Sequence, residues 1–135
     1  MPFQELLSRP LIYLDGGTGT MLQARGLRPD ERTESWTVKR PEELIRIHQS
    51  YVDAGADIVN ANTFGVNKFR YHDDSVYSLS QLVETAIANA KQSVSRTAGK
   101  SNALVSLDLG PSGEFMEPFG DLTYEDALDN FRRLA

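Results

Sequence analysis

The sequence contains no cysteine and only two histidines, His48 and His72, among its 135 residues. The absence of cysteine excludes a disulfide, a thiolate zinc site and a cysteine nucleophile within the chain. Because two histidines do not complete a coordination shell, any metal site would also need carboxylate ligands. We therefore expect no metal site built from these residues.

Long apolar runs and basic clusters are also missing. No run is long enough to span a membrane, and the first residues, Met-Pro-Phe-Gln-Glu, lack the features of a signal peptide. The net charge is -5 and the 14 lysines and arginines are scattered along the sequence, which argues against a nucleic-acid partner. With 40% hydrophobic and 24% charged residues, the sequence predicts one folded domain over residues 1–135, located in the cytoplasm.

A glycine-rich turn follows the first predicted strand. Leu11-Ile12-Tyr13-Leu14 is an apolar run that predicts a buried parallel strand, and Asp15 stands at its carboxyl end. Three of the next four residues are glycines, which permit positive φ and close approach of the backbone. A helix is predicted over residues 21–25. The junction of such a strand and helix is where α/β proteins bind ligands.

The turn has the chemistry of an amino-acid site. Converging backbone N–H groups can bind a small anion at the start of a helix. A carboxylate beside them, here Asp15, disfavours phosphate but suits an amino acid, whose ammonium needs an acceptor. The spacing matches neither G-x-G-x-x-G nor the Walker A pattern. The alternative interpretation is a tight structural turn in which Asp15 caps the helix.

Two further strand–helix units follow. A helix is predicted to begin at Pro41 and to stop at Gly55, and its apolar stripe includes His48, which is predicted to be packed and hydrogen-bonded. Strands are predicted over 57–64 and 103–107. Between them, residues 66–77 are predicted to form a surface loop with a solvated His72, and residues 97–102 a turn.

Two helix starts carry capping signals. Ser78 and Gln81 form a capping box ahead of a helix, and Thr123 and Asp126 give a second capping signal. The second helix presents one face containing Tyr124, Ala127, Leu128 and Phe131. Trp36, in a segment without a clear pattern, is predicted to be a packing residue.

The three predicted strands begin at residues 11, 57 and 103, evenly spaced. Strands joined through helices are parallel, so their carboxyl ends share one face, and Asn62 and Asp108 are expected there with Asp15. The alternative interpretation is that these residues are polar only because loops generally are. The last helix has no stop signal, so the chain is expected to be the first three βα units of a truncated (β/α)8 barrel. The alternative is a small open α/β sheet with unpaired edges.

Four blocks in order resemble the start of the homocysteine S-methyltransferase family, most closely the homocysteine-binding module of cobalamin-dependent methionine synthase. The blocks are Leu14-Asp15-Gly16-Gly17-Thr18-Gly19-Thr20-Met21, residues 41–47 leading into 51–57, Asn62-Thr63-Phe64-Gly65, and Asp108-Leu109-Gly110-Pro111-Ser112-Gly113. Betaine–homocysteine methyltransferase and the S-methylmethionine-dependent enzymes share this module. The resemblance implies a (β/α)8 barrel with homocysteine at its carboxyl face.

The resemblance also implies roles for residues and cofactors. The glycine backbone would bind the substrate carboxylate, and Asp15 would bind its ammonium or shape the turn. The candidate substrate-binding residues are Asp15, Gly16, Gly17, Thr18, Asn62, Thr63, Phe64, Asp108 and Gly110. Zinc would hold the homocysteine sulfur as a thiolate, and the methyl donor could be methylcobalamin or methyltetrahydrofolate, betaine or S-methylmethionine.

The sequence differs from the family in the zinc ligands. The family's zinc is held by three cysteines, and this sequence has none. We therefore expect that the polypeptide as given neither binds catalytic zinc nor transfers methyl groups. Two alternatives are a non-catalytic module that binds an amino acid or a small anion, and a structural fragment that self-associates through its sheet edges.

Overall fold

The computed structural model describes residues 3–71, 76–97 and 102–135. His72 and most of the predicted turn over 97–102 lie outside the described residues. The described elements, in chain order, are α1 (Phe3–Leu7), α2 (Thr18–Ala24), α3 (Ser35–Lys39), α4 (Pro41–Asp53), β1 (Ile58–Asn60), α5 (Leu79–Arg96), β2 (Leu104–Ser106) and α6 (Tyr124–Leu134). The chain is therefore α/β, as expected. No helix among the described residues is long and apolar enough to cross a membrane.

The sheet is parallel and short. β1 pairs with β2 in the register Ile58 to Leu104 and Asn60 to Ser106. On the other side of β1, Leu14 forms a single parallel bridge with Ile58. The three predicted strands thus lie side by side in chain order and their carboxyl ends meet at one edge. The two regular strands are shorter than the predicted ranges 57–64 and 103–107.

The first predicted strand is not buried. Leu11, Tyr13 and Leu14 expose 62%, 56% and 61% of their surface. Its pairing is brief because the Tyr13 N–H donates to the Asp57 carboxylate (2.9 Å) instead of to a strand carbonyl. Arg9 also forms an ion pair with Asp57. The prediction of a buried strand is wrong because this segment is an edge that no described element covers.

The predicted helix signals are confirmed at three places. Ser78 Oγ accepts a hydrogen bond from the Gln81 N–H at 3.1 Å, and Thr123 Oγ1 accepts one from the Asp126 N–H at 3.1 Å. α4 starts at Pro41 and is followed by Gly55 at φ +101°. α2 starts earlier than predicted, and α1 and α3 were not predicted.

The core joins the helices to the sheet. Trp36, only 2% exposed, packs with apolar side chains of α2 and α4, which confirms its prediction as a packing residue. Val59 of β1 packs against alanines of α5. His48 in α4 is fully buried, as predicted, but neither ring nitrogen has a hydrogen-bond partner among the described residues.

The predicted face of α6 is only partly the buried one. Ala127, Asn130 and Leu134 are buried, whereas Tyr124 is 65% exposed. The segment after β1 is only partly a surface loop, because Val66 and Tyr71 are buried in a cluster with side chains of α5 and α6.

Candidate functional site

A cavity of about 380 Å³ opens at the carboxyl edge of the three parallel segments. It is lined by Asp15, Gly16, Gly17, Thr18, Gly19, Thr33, Glu34, Asn60, Ala61, Asn62, Phe64 and Asp108. Seven of the nine candidate substrate-binding residues are in this set. Its size falls in the range of small-molecule sites, about 300–1,000 Å³.

Polar side chains at the strand ends are hydrogen-bonded across the sheet. The Asp15 carboxylate accepts from the Asn60 backbone N–H (3.0 Å) and from the Asn60 side-chain amide (2.6 Å). Ser106 Oγ donates to the amide oxygen of Asn60. The chain Asp15–Asn60–Ser106 therefore fixes the Asp15 carboxylate from the neighbouring strand. Asp15 does not cap α2, because the N-cap is Gly17 and has no side-chain hydrogen bond.

The cavity is electrically negative. Burial raises the pKa of Asp15 above its usual value, and the nearby Asp108 carboxylate raises it further. The hydrogen bonds from Asn60 act in the opposite direction and favour the ionised form. A cation placed beside Asp15 would relieve both the desolvation and the repulsion from Asp108. The site is therefore suited to an ammonium group.

The glycine turn works differently from the prediction. The described glycines with positive φ are Gly26, Gly55 and Gly113, none of which is in the turn. At Gly16, an added Cβ would lie 2.9 Å from the Tyr51 hydroxyl oxygen. That hydroxyl donates to the Gly17 carbonyl oxygen at 3.2 Å. The absence of a side chain at Gly16 thus lets α4 approach the turn, and the turn backbone still faces the cavity.

Two candidate residues lie behind the cavity wall. Thr63 Oγ1 donates to the Asp108 carbonyl oxygen (2.8 Å) and accepts from the Asp108 N–H (3.1 Å), which ties the two loops together. A Cβ on Gly110 would lie 2.1 Å from the Phe64 carbonyl oxygen. Thr63 and Gly110, which are expected to border the pocket, are not among its lining residues. They instead position Asp108 and Phe64, which do line the cavity.

Asn62 and Phe64 have different surroundings within the lining. The Asn62 side-chain amide donates to the Thr33 carbonyl oxygen and to Thr37 Oγ1, both at 3.0 Å, so it anchors the segment before α3. Phe64 is 56% exposed and offers an apolar surface to the cavity. The site thus combines an acidic wall with one exposed aromatic ring.

Sequence reasoning missed Glu34. Its side chain is buried, with 6% exposure, yet it lines the cavity. Its carboxylate accepts from the Gly65 N–H at 2.9 Å and from the Tyr71 hydroxyl at 3.0 Å. No local signal marks Glu34, because both partners are more than thirty residues away. Asn60, also missed, could have been found as a polar residue inside a predicted strand.

The residues of this chain do not fit the zinc that the family resemblance implies. The sequence supplies no thiolate. Over 3–71, 76–97 and 102–135, no group of three or more histidine, aspartate or glutamate side chains is placed to hold a metal ion. Two of the cavity's carboxylates, those of Asp15 and Glu34, instead accept hydrogen bonds from protein donors.

Comparison with known proteins gives a consistent result. The family model for homocysteine S-methyltransferase matches residues 12–135. The methionine synthase of Mycobacterium tuberculosis is 39% identical over 94 residues, which are 62% of this chain and 8% of that protein. The methionine synthase of Mycobacterium leprae is 37% identical over 87 residues, 57% of this chain and 7% of that protein.

The fold also matches solved structures. The homocysteine methyltransferase MmuM from Escherichia coli, in its metallated form, aligns with a TM-score of 0.70 at 22% identity, over 84% of this chain and 42% of that chain. Its apo form aligns with a TM-score of 0.61 at 23% identity. The chain thus spans less than a tenth of the length of the methionine synthases and about two fifths of the MmuM chain.

Proposed function

Because the chain belongs to the homocysteine S-methyltransferase family, we propose that its cavity forms the amino-acid side of a homocysteine pocket in a methyltransferase. The observation that carries this proposal is the meeting of the Asp15 carboxylate and the glycine-turn backbone in one cavity at the carboxyl edge of the sheet. We further propose that residues 1–135 form the first three βα units of a (β/α)8 barrel. The share of the MmuM chain that is covered supports this assignment.

The two ends of the amino acid would bind to different groups. The ammonium lies against Asp15, whose carboxylate Asn60 already orients. The carboxylate lies against the backbone of residues 16–18, at the positive end of α2. Phe64 covers the aliphatic part of the side chain, and Asp108 limits the pocket on the far side. This arrangement leaves the sulfur free to point out of the cavity.

The reaction of the family requires a nucleophilic sulfur. In the proposal, the sulfur of homocysteine attacks an activated methyl group, and the donor loses that methyl as methionine forms. Zinc, where a family member binds it, keeps the sulfur as a thiolate near neutral pH. This chain's residues do not fit that metal, so they bind and orient the substrate, and we expect no methyl transfer by the chain alone. We also propose cobalamin or methyltetrahydrofolate as the carrier of the methyl group.

A titration with substrate pieces tests the role of Asp15. The full chain is titrated calorimetrically with L-homocysteine, with 4-mercaptobutyrate, which lacks the ammonium, and with 3-mercaptopropylamine, which lacks the carboxylate. Asp15→Asn should weaken binding of homocysteine and of the amine by about tenfold or more, because a charge-assisted hydrogen bond is lost. Binding of 4-mercaptobutyrate should not change.

The matched control is Asp53→Asn, which removes an exposed carboxylate at the end of α4. It should leave all three titrations unchanged. Equal weakening of 4-mercaptobutyrate by Asp15→Asn, or no effect of that variant on homocysteine, would contradict the proposed orientation.

Self-association is a second candidate property. The exposed apolar side chains of Leu11, Tyr13 and Leu14 lie on an edge with one bridge only. Exposed edges of this kind favour pairing with another chain. In sedimentation velocity, Leu11→Lys combined with Leu14→Lys should move the chain toward monomer, whereas Leu7→Lys on α1 should not. A wild-type chain that is already monomeric at high concentration would exclude this candidate.

A further inference from the structure

The structure gathers three cations that are scattered in the sequence. Arg32, Lys39 and Arg70 line a second cavity of about 220 Å³, together with Ser35, Tyr71, Val76 and Tyr77. Within the described residues, none of the three cations forms an ion pair. We propose that this cavity, here named the basic pocket, binds the phosphate group of a small phosphorylated molecule.

Contacts of Arg32 and Ser35 shape one side of the basic pocket. The Arg32 guanidinium lies 4.8 Å from the centre of the Tyr71 ring, and it donates to the Arg70 carbonyl oxygen. Ser35 Oγ donates to the Arg32 carbonyl oxygen at 2.7 Å. These contacts bring together residues from the start of α3 and from the segment after β1. The Arg32 guanidinium is thus positioned by the fold beside the segment that carries Arg70.

The charge balance favours an anion. The Glu34 carboxylate contacts the Tyr71 wall, and both of its oxygens already accept hydrogen bonds, from the Gly65 N–H and from the Tyr71 hydroxyl. Among the described residues that line the basic pocket, three are cations and none is a carboxylate. Outside it, the Glu31 carboxylate interacts with Lys39 and already accepts a hydrogen bond from the Arg28 N–H at 3.0 Å. Two guanidinium groups offer paired N–H donors that match the oxygens of a phosphate dianion, and the lysine ammonium adds a third charge.

The dimensions limit the ligand. At about 220 Å³ the basic pocket is smaller than a pocket for a drug-sized ligand, which begins at about 300 Å³. It accommodates a phosphate group, with the rest of the molecule outside. The Tyr71 hydroxyl links the basic pocket to the candidate homocysteine cavity, because Glu34, which accepts from it, lines that cavity.

The experiment follows backbone amide signals of the full chain during titration with inorganic phosphate, at constant ionic strength maintained with sodium chloride. Saturable shifts are expected at Ser35, Lys39 and Tyr71. Lys39→Gln and Arg70→Gln should each weaken the apparent affinity by about tenfold, since each removes a charged donor. The matched control Lys91→Gln, an exposed cation on α5, should leave it unchanged. Asp15→Asn should bind phosphate normally, which separates this result from the homocysteine proposal.

Several results would overturn the assignment. One is that the amide shifts increase linearly with phosphate concentration and do not saturate. Others are that Lys39→Gln and Arg70→Gln bind phosphate as the wild type does, or that Lys91→Gln loses as much phosphate affinity as they do. The last is that citrate binds at least as strongly as phosphate. Urea unfolding of each variant checks that it is folded. Because Lys39 and Arg70 are both exposed and lie in different segments, either variant alone decides the question if the other does not fold.

Discussion

Acidification from pH 7 to pH 5 should destabilise the chain through one buried histidine, His48. The side chain is fully buried in α4. Neither ring nitrogen has a hydrogen-bond partner among the described residues. Burial lowers the pKa of His48 to about 4, because no neighbouring acceptor stabilises the imidazolium. The folded state therefore keeps this ring neutral where the unfolded chain binds a proton.

The sign and size follow from linkage. An unfolded histidine has a pKa near 6.5 and the folded one near 4, so the unfolded state binds more protons between these values. The stabilisation is fully present above pH 6.5 and is lost as the pH falls toward 4. Between pH 7 and pH 5 the loss amounts to about 2 kcal/mol. This loss is large compared with the free energy of unfolding of a small domain, which is about 5–15 kcal/mol.

The assay is urea unfolding followed by the fluorescence of Trp36, a buried residue and the single tryptophan of the chain. His48→Leu removes the titrating group and leaves no unpartnered polar atom at that position. The difference between wild type and variant in free energy of unfolding should therefore change by about 2 kcal/mol between the two pH values. Surface carboxylates titrate in both proteins and cancel in this difference.

The matched control is His72→Gln, which removes the other histidine. An equal pH dependence in wild type and His48→Leu would refute the reasoning, and so would a loss of the dependence in His72→Gln instead. A His48→Leu variant that is strongly destabilised at pH 7 would also contradict the structure. It would mean that the ring makes a favourable polar contact there.

Three further substitutions have defined outcomes. Gly110→Ala should lower the free energy of unfolding by about 1–3 kcal/mol, because the added methyl meets the Phe64 carbonyl oxygen. Its matched control is Gly19→Ala, whose added methyl would lie 3.9 Å from the Thr33 side chain, and equal urea midpoints for the two variants would contradict the packing. Ser78→Ala should cost about 1 kcal/mol in thermal unfolding through loss of the α5 cap, and no change in Tm would contradict the cap. Asn60→Ala should raise the pKa of Asp15, because the hydrogen-bonded side chain that lowers this pKa is lost. The pKa is measured from the NMR chemical shift of the Asp15 carboxyl carbon during an acid titration, and a lower pKa in the variant would contradict the prediction.

Local signals predicted α4, α5 and α6. The Ser78 and Thr123 caps and the stop at Gly55 depend on residues within a few positions of one another, so the sequence contains all that determines them. The position of Asp15 at a strand end was equally predictable, because apolar runs that end in a polar residue and glycine are a short-range pattern.

Features that depend on distant partners were not predictable. Tyr13 is exposed because no described element covers this edge, and its N–H donates to the distant Asp57 carboxylate instead of to a strand carbonyl. Glu34 enters the cavity because Gly65 and Tyr71 hold its carboxylate from the segment after β1. The glycines of the turn are predicted to permit positive φ and close approach of the backbone. No glycine of the turn has positive φ, and Gly16 instead allows the close approach of the Tyr51 ring from α4.

The even spacing of the predicted strands has a physical counterpart in the site. β1 and β2 pair Ile58 with Leu104, and the hydrogen-bonded side chains Asn60 and Ser106 are also 46 residues apart. Asp15 and Asn60 are 45 apart. Successive strand–helix units of nearly equal length therefore bring polar strand ends into hydrogen-bonding register at one edge. A one-residue insertion within β1 would turn Asn60 to the opposite face of the sheet and leave Asp15 without its partner. An insertion in the helix-to-strand loop would leave the register of β1 unchanged. The ligand-binding edge thus depends on strand register more than on the loops that surround it.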